Sequence, residues 1–159
     1  MQLDSQPVVR AGMLIRRPVA EVFRAFTDPS VTTRFWFTRS SGPLEPGGRA
    51  RWTWEMYGAS TDVTVLELDP DERILIEWDE PPTRVEWVFT ARPDGTTYVS
   101  ITNSGFAGGG DEVVRQALDS MGGFSFVLAA LKALLEHGVE LKLVADHYPD
   151  AHVRTPSHP

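Results

Sequence analysis

Five tryptophans are the residues that most suggest a function, because four of them recur at strand-like spacing. Trp52 and Trp54 alternate with polar residues, and Trp78 and Trp87 belong to similar alternations further along the chain. Alternate residues share one face of a strand, so these rings are predicted to face inward. Trp36 lies in a segment predicted to cover the sheet. Such rings either line a ligand pocket or fill a close-packed core, and the pattern leaves both interpretations open.

Asn103 is the polar residue best placed to orient a ligand. It follows Val99 and Ile101 at the same spacing, which predicts that its side chain also faces inward. A buried amide needs hydrogen-bond partners. A ligand carbonyl or hydroxyl could supply them, and so could the local backbone at the end of the strand.

Two carboxylates between apolar strand residues, Glu77 and Glu86, are the candidates for acid–base chemistry. A buried carboxylate would have a raised pKa and could act as a general base. Alternation places both on the outer, solvated face instead. The sequence also lacks a Gly-x-Ser-x-Gly nucleophile elbow. We therefore assign no catalytic residue and lean against an enzyme.

Metal and cofactor sites are not predicted. Gly108–Gly110 precede a helix, but no P-loop lysine follows, and Asp111 and Glu112 would repel a phosphate. The absence of cysteine excludes disulfides and thiolate ligands. The histidines cluster near the C-terminus at no usual ligand spacing and are predicted to be solvated tail residues. They are His137, His147, His152 and His158.

The net charge of −7 argues against nucleic acid or an anionic membrane as a partner. The first residues lack the basic and apolar regions of a signal peptide. The longest apolar run, 126–131, is too short to span a bilayer. These features, with the missing cysteines, predict a cytoplasmic protein.

A chain of 159 residues predicts one domain. Apolar residues recur with a period of two in several segments, and the connectors between them are short and rich in Pro, Asp and Gly, which predicts an antiparallel meander. The segment 40–48 is rich in Gly, Pro and Ser and is predicted to be a loop. The predicted strands are 8–16, 50–56, 61–68, 73–79, 84–91 and 97–104.

Two short helices are predicted after the first strand, one beginning near Pro18 and one over about 29–35. A long helix is predicted from an N-cap at Asp111 to a stop at Gly138. Its apolar stripe repeats at steps of four and three residues. The stripe consists of Ala117, Met121, Phe124, Leu128, Leu131 and Leu135.

Gly122 and Gly123 interrupt this helix at a cost of about 1 kcal/mol each. They either break it, or leave room for a cavity beside it, or allow close contact with the sheet. Residues 139–148 are compatible with a last strand or with a segment packed back on the body. A polar tail over 149–159 is predicted to fray.

The order of these segments resembles the START-like, or polyketide-cyclase-like (SRPBCC), superfamily. Within it, the sequence is most similar to the branch of activators of the heat-shock-90 ATPase. The resemblance covers about residues 8–138. The motifs that carry it are RPVAEVFRAFTDP (17–29), DGTTYVSITNSGF (94–106) and GGFSFVLAALKALLEHG (122–138).

This resemblance implies an α+β helix-grip fold: a curved antiparallel sheet of about six strands wrapped around the long C-terminal helix, with two short helices after strand 1. The domain would span 1–148, with a cavity between the sheet and the helix. Members of the superfamily are carriers or sensors of apolar molecules, cyclases and aromatases, and ATPase-stimulating co-chaperones. The co-chaperones carry an additional domain, for which a single-domain chain has no room.

The function that we predict first is binding of an apolar or aromatic small molecule in this cavity, without a cofactor. The alternatives are a cyclase- or hydrolase-like enzyme acting in the same cavity, and a chaperone-regulating partner protein. The sequence indicates neither the ligand nor the oligomeric state. The predicted lining residues are Trp36, Trp52, Trp54, Val65, Ile76, Trp78, Trp87, Phe89, Asn103, Phe124, Val127 and Leu131.

Overall fold

The computed structural model describes residues 2–151 and contains one antiparallel sheet of seven strands. The strand order across the sheet is β1-β7-β6-β5-β4-β3-β2, so the first strand pairs with the last and the others follow as a meander. The strands are β1 (Val9–Ile15), β2 (Arg39–Ser40), β3 (Arg49–Trp54), β4 (Ala59–Asp69), β5 (Arg73–Trp78), β6 (Thr83–Ala91) and β7 (Thr97–Ser104).

Six of these strands match the predicted ones, and β2 is an addition. Arg39 and Ser40 pair with Thr53 and Trp52 of β3 at the edge of the sheet. Two residues are too few to show a period of two, and the neighbouring glycines and prolines predict a loop. The backbone pairing with β3 therefore has no signature in the sequence.

Helices α1 (Val19–Thr27) and α2 (Pro29–Thr32) follow β1. The apolar face predicted for α1 is buried, including Val22 and Phe26. Helix α2 ends earlier than predicted. The Asp28 side chain accepts a hydrogen bond from the Ser30 backbone N–H at 3.0 Å and so caps the start of α2.

The long helix α3 (Gly110–His137) is unbroken through the glycine pair. Its N-cap is Gly109 rather than Asp111, so the helix begins two residues earlier than predicted. Gly138 ends the helix in the left-handed conformation, as predicted. The predicted stripe is wrong at Met121, which is 42% exposed. The first half of α3 buries only Val113, which packs in a small cluster with Val9 and Phe106. The buried residues of α3 are Val113, Phe124, Val127, Leu128, Ala130, Leu131 and Leu134.

By length and composition, α3 would also be long and apolar enough to cross a membrane. In this fold its second half packs into the main core, through Phe124, Leu128 and Leu131 among others. The Lys132 ammonium of the same half donates to the Leu14 carbonyl of β1 at 2.7 Å. Helix α3 is therefore the core helix of the domain.

The segment after α3 packs back on the body and does not form a strand. Residues 143–147 form the short helix α4 (Leu143–His147), whose Leu143 and Val144 contact the core. The Arg34 guanidinium pairs with Glu140 at 3.3 Å, and the Tyr57 hydroxyl donates to the Val144 carbonyl. Pro149–Ala151 form a single 3-10 turn. The rest of the predicted tail, with His152 and His158, lies outside the described residues.

Candidate functional site

A cavity of about 670 Å³ lies between the sheet, the middle of α3 (116–127) and α4. The turn between β5 and β6 forms one side of it and α4 forms another. Side chains with aromatic rings make up much of its wall. They are Trp36, Trp54, Tyr57, Trp78, Phe106, Phe124, Phe126, His147 and Tyr148.

Half of the predicted lining residues do line this cavity. They come from the loop after α2, from β3, β5 and β7, and from α3, so the fold brings together residues far apart in the chain. These six residues are Trp36, Trp54, Trp78, Asn103, Phe124 and Val127.

The other half of the predicted lining residues lie away from this cavity. All are at most 5% exposed and belong to the closed core. They face inward, but they lie where side chains from the sheet, α3 and the loop after α2 pack together in the main core. They are Trp52, Val65, Ile76, Trp87, Phe89 and Leu131.

Trp36 separates the filled core from the open cavity. Its ring centroid lies 5.0 Å from that of Trp52 on the core side, and 5.9 Å from those of Trp78 and Phe124 on the cavity side. Trp36 is only 7% exposed, so it forms an inner wall rather than a rim. Trp78 and Phe124 are stacked with their planes 27° apart. The cavity therefore offers flat apolar faces to a ligand.

Asn103 joins two strands and a helix at the cavity wall. Its Nδ2 donates to the Arg84 carbonyl at 2.8 Å and to Thr83 Oγ1 at 3.2 Å, and its Oδ1 accepts from Ser120 Oγ at 2.7 Å. Trp78 Nε1 also donates to Thr83 Oγ1, at 3.0 Å. Asn103 is 2% exposed, and protein groups fill its hydrogen-bonding capacity for donation. It therefore holds the wall together.

Thr83 and Ser120 are polar cavity residues that the sequence analysis missed. Thr83 lies two residues before Val85 and so continues the inward face of β6. Ser120 lies four residues before Phe124 on the same face of α3. The predicted strand begins one residue after Thr83, and the predicted stripe of α3 consists of apolar residues, so neither prediction includes these two side chains.

Asp79 lies beside the cavity at the end of β5. The surrounding protein partly desolvates its carboxyl and raises its pKa, while a hydrogen bond from Thr61 acts in the opposite direction. The Asp79 backbone N–H donates to Thr61 Oγ1 at 3.0 Å, which holds the residue in place. Although Asp79 is solvent-accessible, the concave wall around it limits the water that can reach its charge.

His147 borders the cavity from α4 and is exposed, as predicted for a solvated residue. Its ring centroid lies 4.5 Å from that of Phe126 and 4.1 Å from that of Tyr148. The reason is that α4 folds back across α3. No spacing within the sequence relates His147 to Phe126.

The glycine pair of α3 leaves open space. A Cβ atom built on Gly122 or Gly123 would meet no heavy atom within 4 Å, so neither glycine serves a close contact. Gly123 lines the cavity. A larger side chain at position 123 would therefore extend into it.

The two strand carboxylates lie on the outer face, as predicted. Glu86 Oε2 accepts from Arg73 Nε at 2.5 Å, and Glu77 lies 3.7 Å from Arg84 Nε. Neither carboxylate lines the cavity.

A seven-stranded antiparallel sheet that holds a long C-terminal helix is a helix-grip domain, and this chain is a START-like (SRPBCC) protein. The family model of the Activator of Hsp90 ATPase homolog 1-like proteins matches residues 16–136, and the chain belongs to that family. No curated protein matches the sequence.

Solved structures share the fold. Protein SSP2350 from Staphylococcus saprophyticus is 28% identical, with a TM-score of 0.75 over 86% of this chain and 96% of its own. DynU16, a protein of the dynemicin biosynthetic locus, is 24% identical with a TM-score of 0.71. That match covers 86% of this chain but 49% of DynU16. Aha1 from Colwellia psychrerythraea, solved as a dimer, is 18% identical with a TM-score of 0.69, over 83% of this chain and 98% of its own.

Proposed function

We propose that this protein binds a flat aromatic or apolar small molecule in the cavity between the sheet, α3 and α4, as a carrier or sensor. The observation that carries the proposal is the aromatic wall around about 670 Å³ of space. Small-molecule sites typically have volumes of about 300–1,000 Å³ and few polar groups. Apolar burial would supply most of the affinity.

The stacked rings of Trp78 and Phe124 support a planar ligand, because a flat aromatic molecule can add a further ring to this stack. The rings of Trp36 and Trp54 also line the cavity and lie at 63° and 62° to the Trp78 ring. The membership of DynU16 in a biosynthetic locus, as its description states, is compatible with a protein that handles a small molecule.

Tryptophan fluorescence tests the proposal, because Trp36, Trp54 and Trp78 line the cavity. We expect saturable quenching or a spectral shift with some members of a panel of flavonoids, fatty acids and aromatic polyketides. The same ligands should raise the melting temperature by mass action. A panel that produces neither response would contradict a small-molecule site.

A matched pair of variants localises any binding. Gly123→Leu projects a side chain into the cavity, whereas Gly122→Leu adds the same side chain one position away, where it does not line the cavity. We expect ligand affinity to fall at least tenfold in Gly123→Leu and to stay within twofold in Gly122→Leu. Equal effects of the two variants would place the ligand elsewhere.

An enzyme acting on a hydrophobic substrate in the same cavity is the second candidate. Asp79, whose pKa is raised by partial desolvation, is the cavity residue that favours it, because a carboxyl beside a ligand can exchange a proton with it. Asp79→Asn would then abolish turnover of a bound ligand without abolishing binding. A ligand recovered unchanged from the wild-type protein favours the carrier.

Regulation of a chaperone ATPase is the remaining candidate, suggested by the family description alone. It predicts stimulation of an Hsp90-type ATPase that Gly123→Leu leaves intact, since a protein contact would not need the cavity. A cytoplasmic location is part of the carrier proposal and is tested by cell fractionation.

A further inference from the structure

The hydrogen bonds around Thr83 have a fixed direction, because several of the groups can act in one way only. Trp78 Nε1 is a donor without acceptor capacity, so Thr83 Oγ1 must accept from it. The Arg84 carbonyl can only accept, so the Asn103 atom facing it must be Nδ2. The other hydrogen of Nδ2 then points to Thr83 Oγ1 as well.

Thr83 Oγ1 thus accepts two hydrogen bonds, and its own hydroxyl hydrogen is used in neither of them. Within residues 2–151, no group accepts the Thr83 hydroxyl hydrogen. Thr83 is 8% exposed and lines the cavity. A buried hydroxyl without an acceptor is a group that a ligand can satisfy at little cost, since water has limited access to it.

The two incoming hydrogen bonds also make this hydroxyl a stronger donor. Hydrogen bonds in a chain polarise one another, so a hydroxyl whose oxygen accepts two hydrogen bonds donates a stronger hydrogen bond to a third partner. Ser120 does not compete for this role, because its hydrogen is committed to Asn103 Oδ1. Of these two hydroxyls, the one that can donate a hydrogen bond to a ligand is therefore that of Thr83.

We infer that the ligand of this cavity carries a carbonyl or similar hydrogen-bond acceptor that binds the Thr83 hydroxyl while its rings contact the aromatic wall. This inference rests on the proposed function and narrows its ligand class to planar aromatic ketones and related compounds. A bare aromatic hydrocarbon would fill the same space and leave the Thr83 hydrogen unpaired.

Fluorenone and fluorene are a matched pair of probes, because they share one tricyclic frame and differ by a carbonyl against a methylene. We expect the wild-type protein to bind fluorenone about three- to tenfold more tightly, the range that one net hydrogen bond provides. Infrared spectra of bound fluorenone should show its carbonyl band below the position found in an apolar solvent.

Two variants connect this preference to Thr83. Thr83→Ser keeps the hydroxyl and should retain both the preference and the infrared shift. Thr83→Val removes it and should abolish both, provided that circular dichroism shows a folded protein. If Thr83→Val does not fold, the infrared shift in wild type and in Thr83→Ser still tests the hydrogen bond.

The outcomes separate the inference from the proposed function. Equal affinity for fluorenone and fluorene, with an unshifted carbonyl band, would overturn the inference. If Gly123→Leu still weakens the binding of both probes in that case, the proposed function of the cavity stands. If neither probe nor any member of the wider panel binds, the proposed function fails and the inference fails with it.

Discussion

Ser120 Oγ donates a hydrogen bond of 2.7 Å to Asn103 Oδ1, and this contact ties the first half of α3 to β7 beside the cavity. The opposite end of the Asn103 amide bonds to Thr83 and to the Arg84 carbonyl of β6. A single buried amide therefore sets the position of the helix relative to two strands. The width of the cavity at this point depends on it.

Removing this amide should destabilise the protein more than removing the serine that contacts it. Asn103→Ala removes the hydrogen bonds of the buried amide to the Arg84 carbonyl, Thr83 Oγ1 and Ser120 Oγ, and we expect a loss of about 3 kcal/mol in the free energy of unfolding. Ser120→Ala should cost about 1 kcal/mol. Urea unfolding with a common m-value measures both. Ser125→Ala is the control, since the exposed Ser125 bonds only within α3, and should stay within about 0.5 kcal/mol.

Alanine at either central glycine of α3 should stabilise the fold. A Cβ at Gly122 or Gly123 meets nothing within 4 Å, so the helix-propensity gain of about 1 kcal/mol is not offset by a clash. Each variant should raise the melting temperature by about 3 °C in a chain of this size. Gly138→Ala should lower it, because Gly138 has a φ of +66°. A lowered melting temperature for Gly123→Ala would mean that the space beside α3 is absent in solution.

Two tryptophans on the same face of β3 should differ in what they support. Trp52 is 1% exposed and stacks on Phe37 at 4.6 Å, so Trp52→Ala should cost about 3–5 kcal/mol of stability. Trp54 is half-buried and lines the cavity, so Trp54→Ala should cost clearly less but weaken ligand binding. Urea unfolding and calorimetric titration provide the two measurements. Equal losses of stability would show that the wall and the core are not distinct.

Removing the Tyr57 hydroxyl should loosen α4. This hydroxyl donates to the Val144 carbonyl and lies 3.2 Å from the Ala145 carbonyl. Tyr57→Phe should cost about 1 kcal/mol locally, which corresponds to roughly fivefold faster amide hydrogen exchange across 143–148. Tyr98→Phe, at an exposed position on β7, is the matched control. Unchanged exchange in Tyr57→Phe would show that apolar packing alone holds α4.

Asp79 should titrate above its ordinary pKa of 3.8, because partial desolvation penalises the carboxylate. A raised folded-state pKa stabilises the fold below the unfolded-state pKa, and this stabilisation is lost as the pH rises through the folded value. The stability of Asp79→Asn relative to wild type should therefore increase between pH 3 and pH 7. Carbon-13 NMR titration of the Asp79 carboxyl measures the pKa directly. A midpoint at or below 3.8 would refute the desolvation.

The sequence by itself determined the order of the six longer strands and of α1, α2 and α3, and the inward face of the strands around the helix. Val85, Trp87 and Phe89 are spaced two residues apart, with Glu86 and the exposed Val88 between them. Residues at this spacing lie on one face of a strand, so all three face the helix together. The proline before α1 and the glycine after α3 marked helix boundaries through local backbone chemistry. These signals lie within a few residues of the elements that they specify, so they can be read without the fold.

Only the tertiary structure decided which inward residues meet a cavity and which meet the core. Trp52 and Trp54 carry the same alternation signal, yet one is enclosed by Trp36 and Phe37 while the other reaches open space. A period of two specifies which face of the strand a side chain occupies, but not whether that part of the face is covered by the core or borders the cavity. That difference depends on long-range packing of the loop after α2, of α3 and of α4. The same packing brings Thr83, Asn103 and Ser120 together, because hydrogen bonds between separate elements leave no periodic trace in the chain.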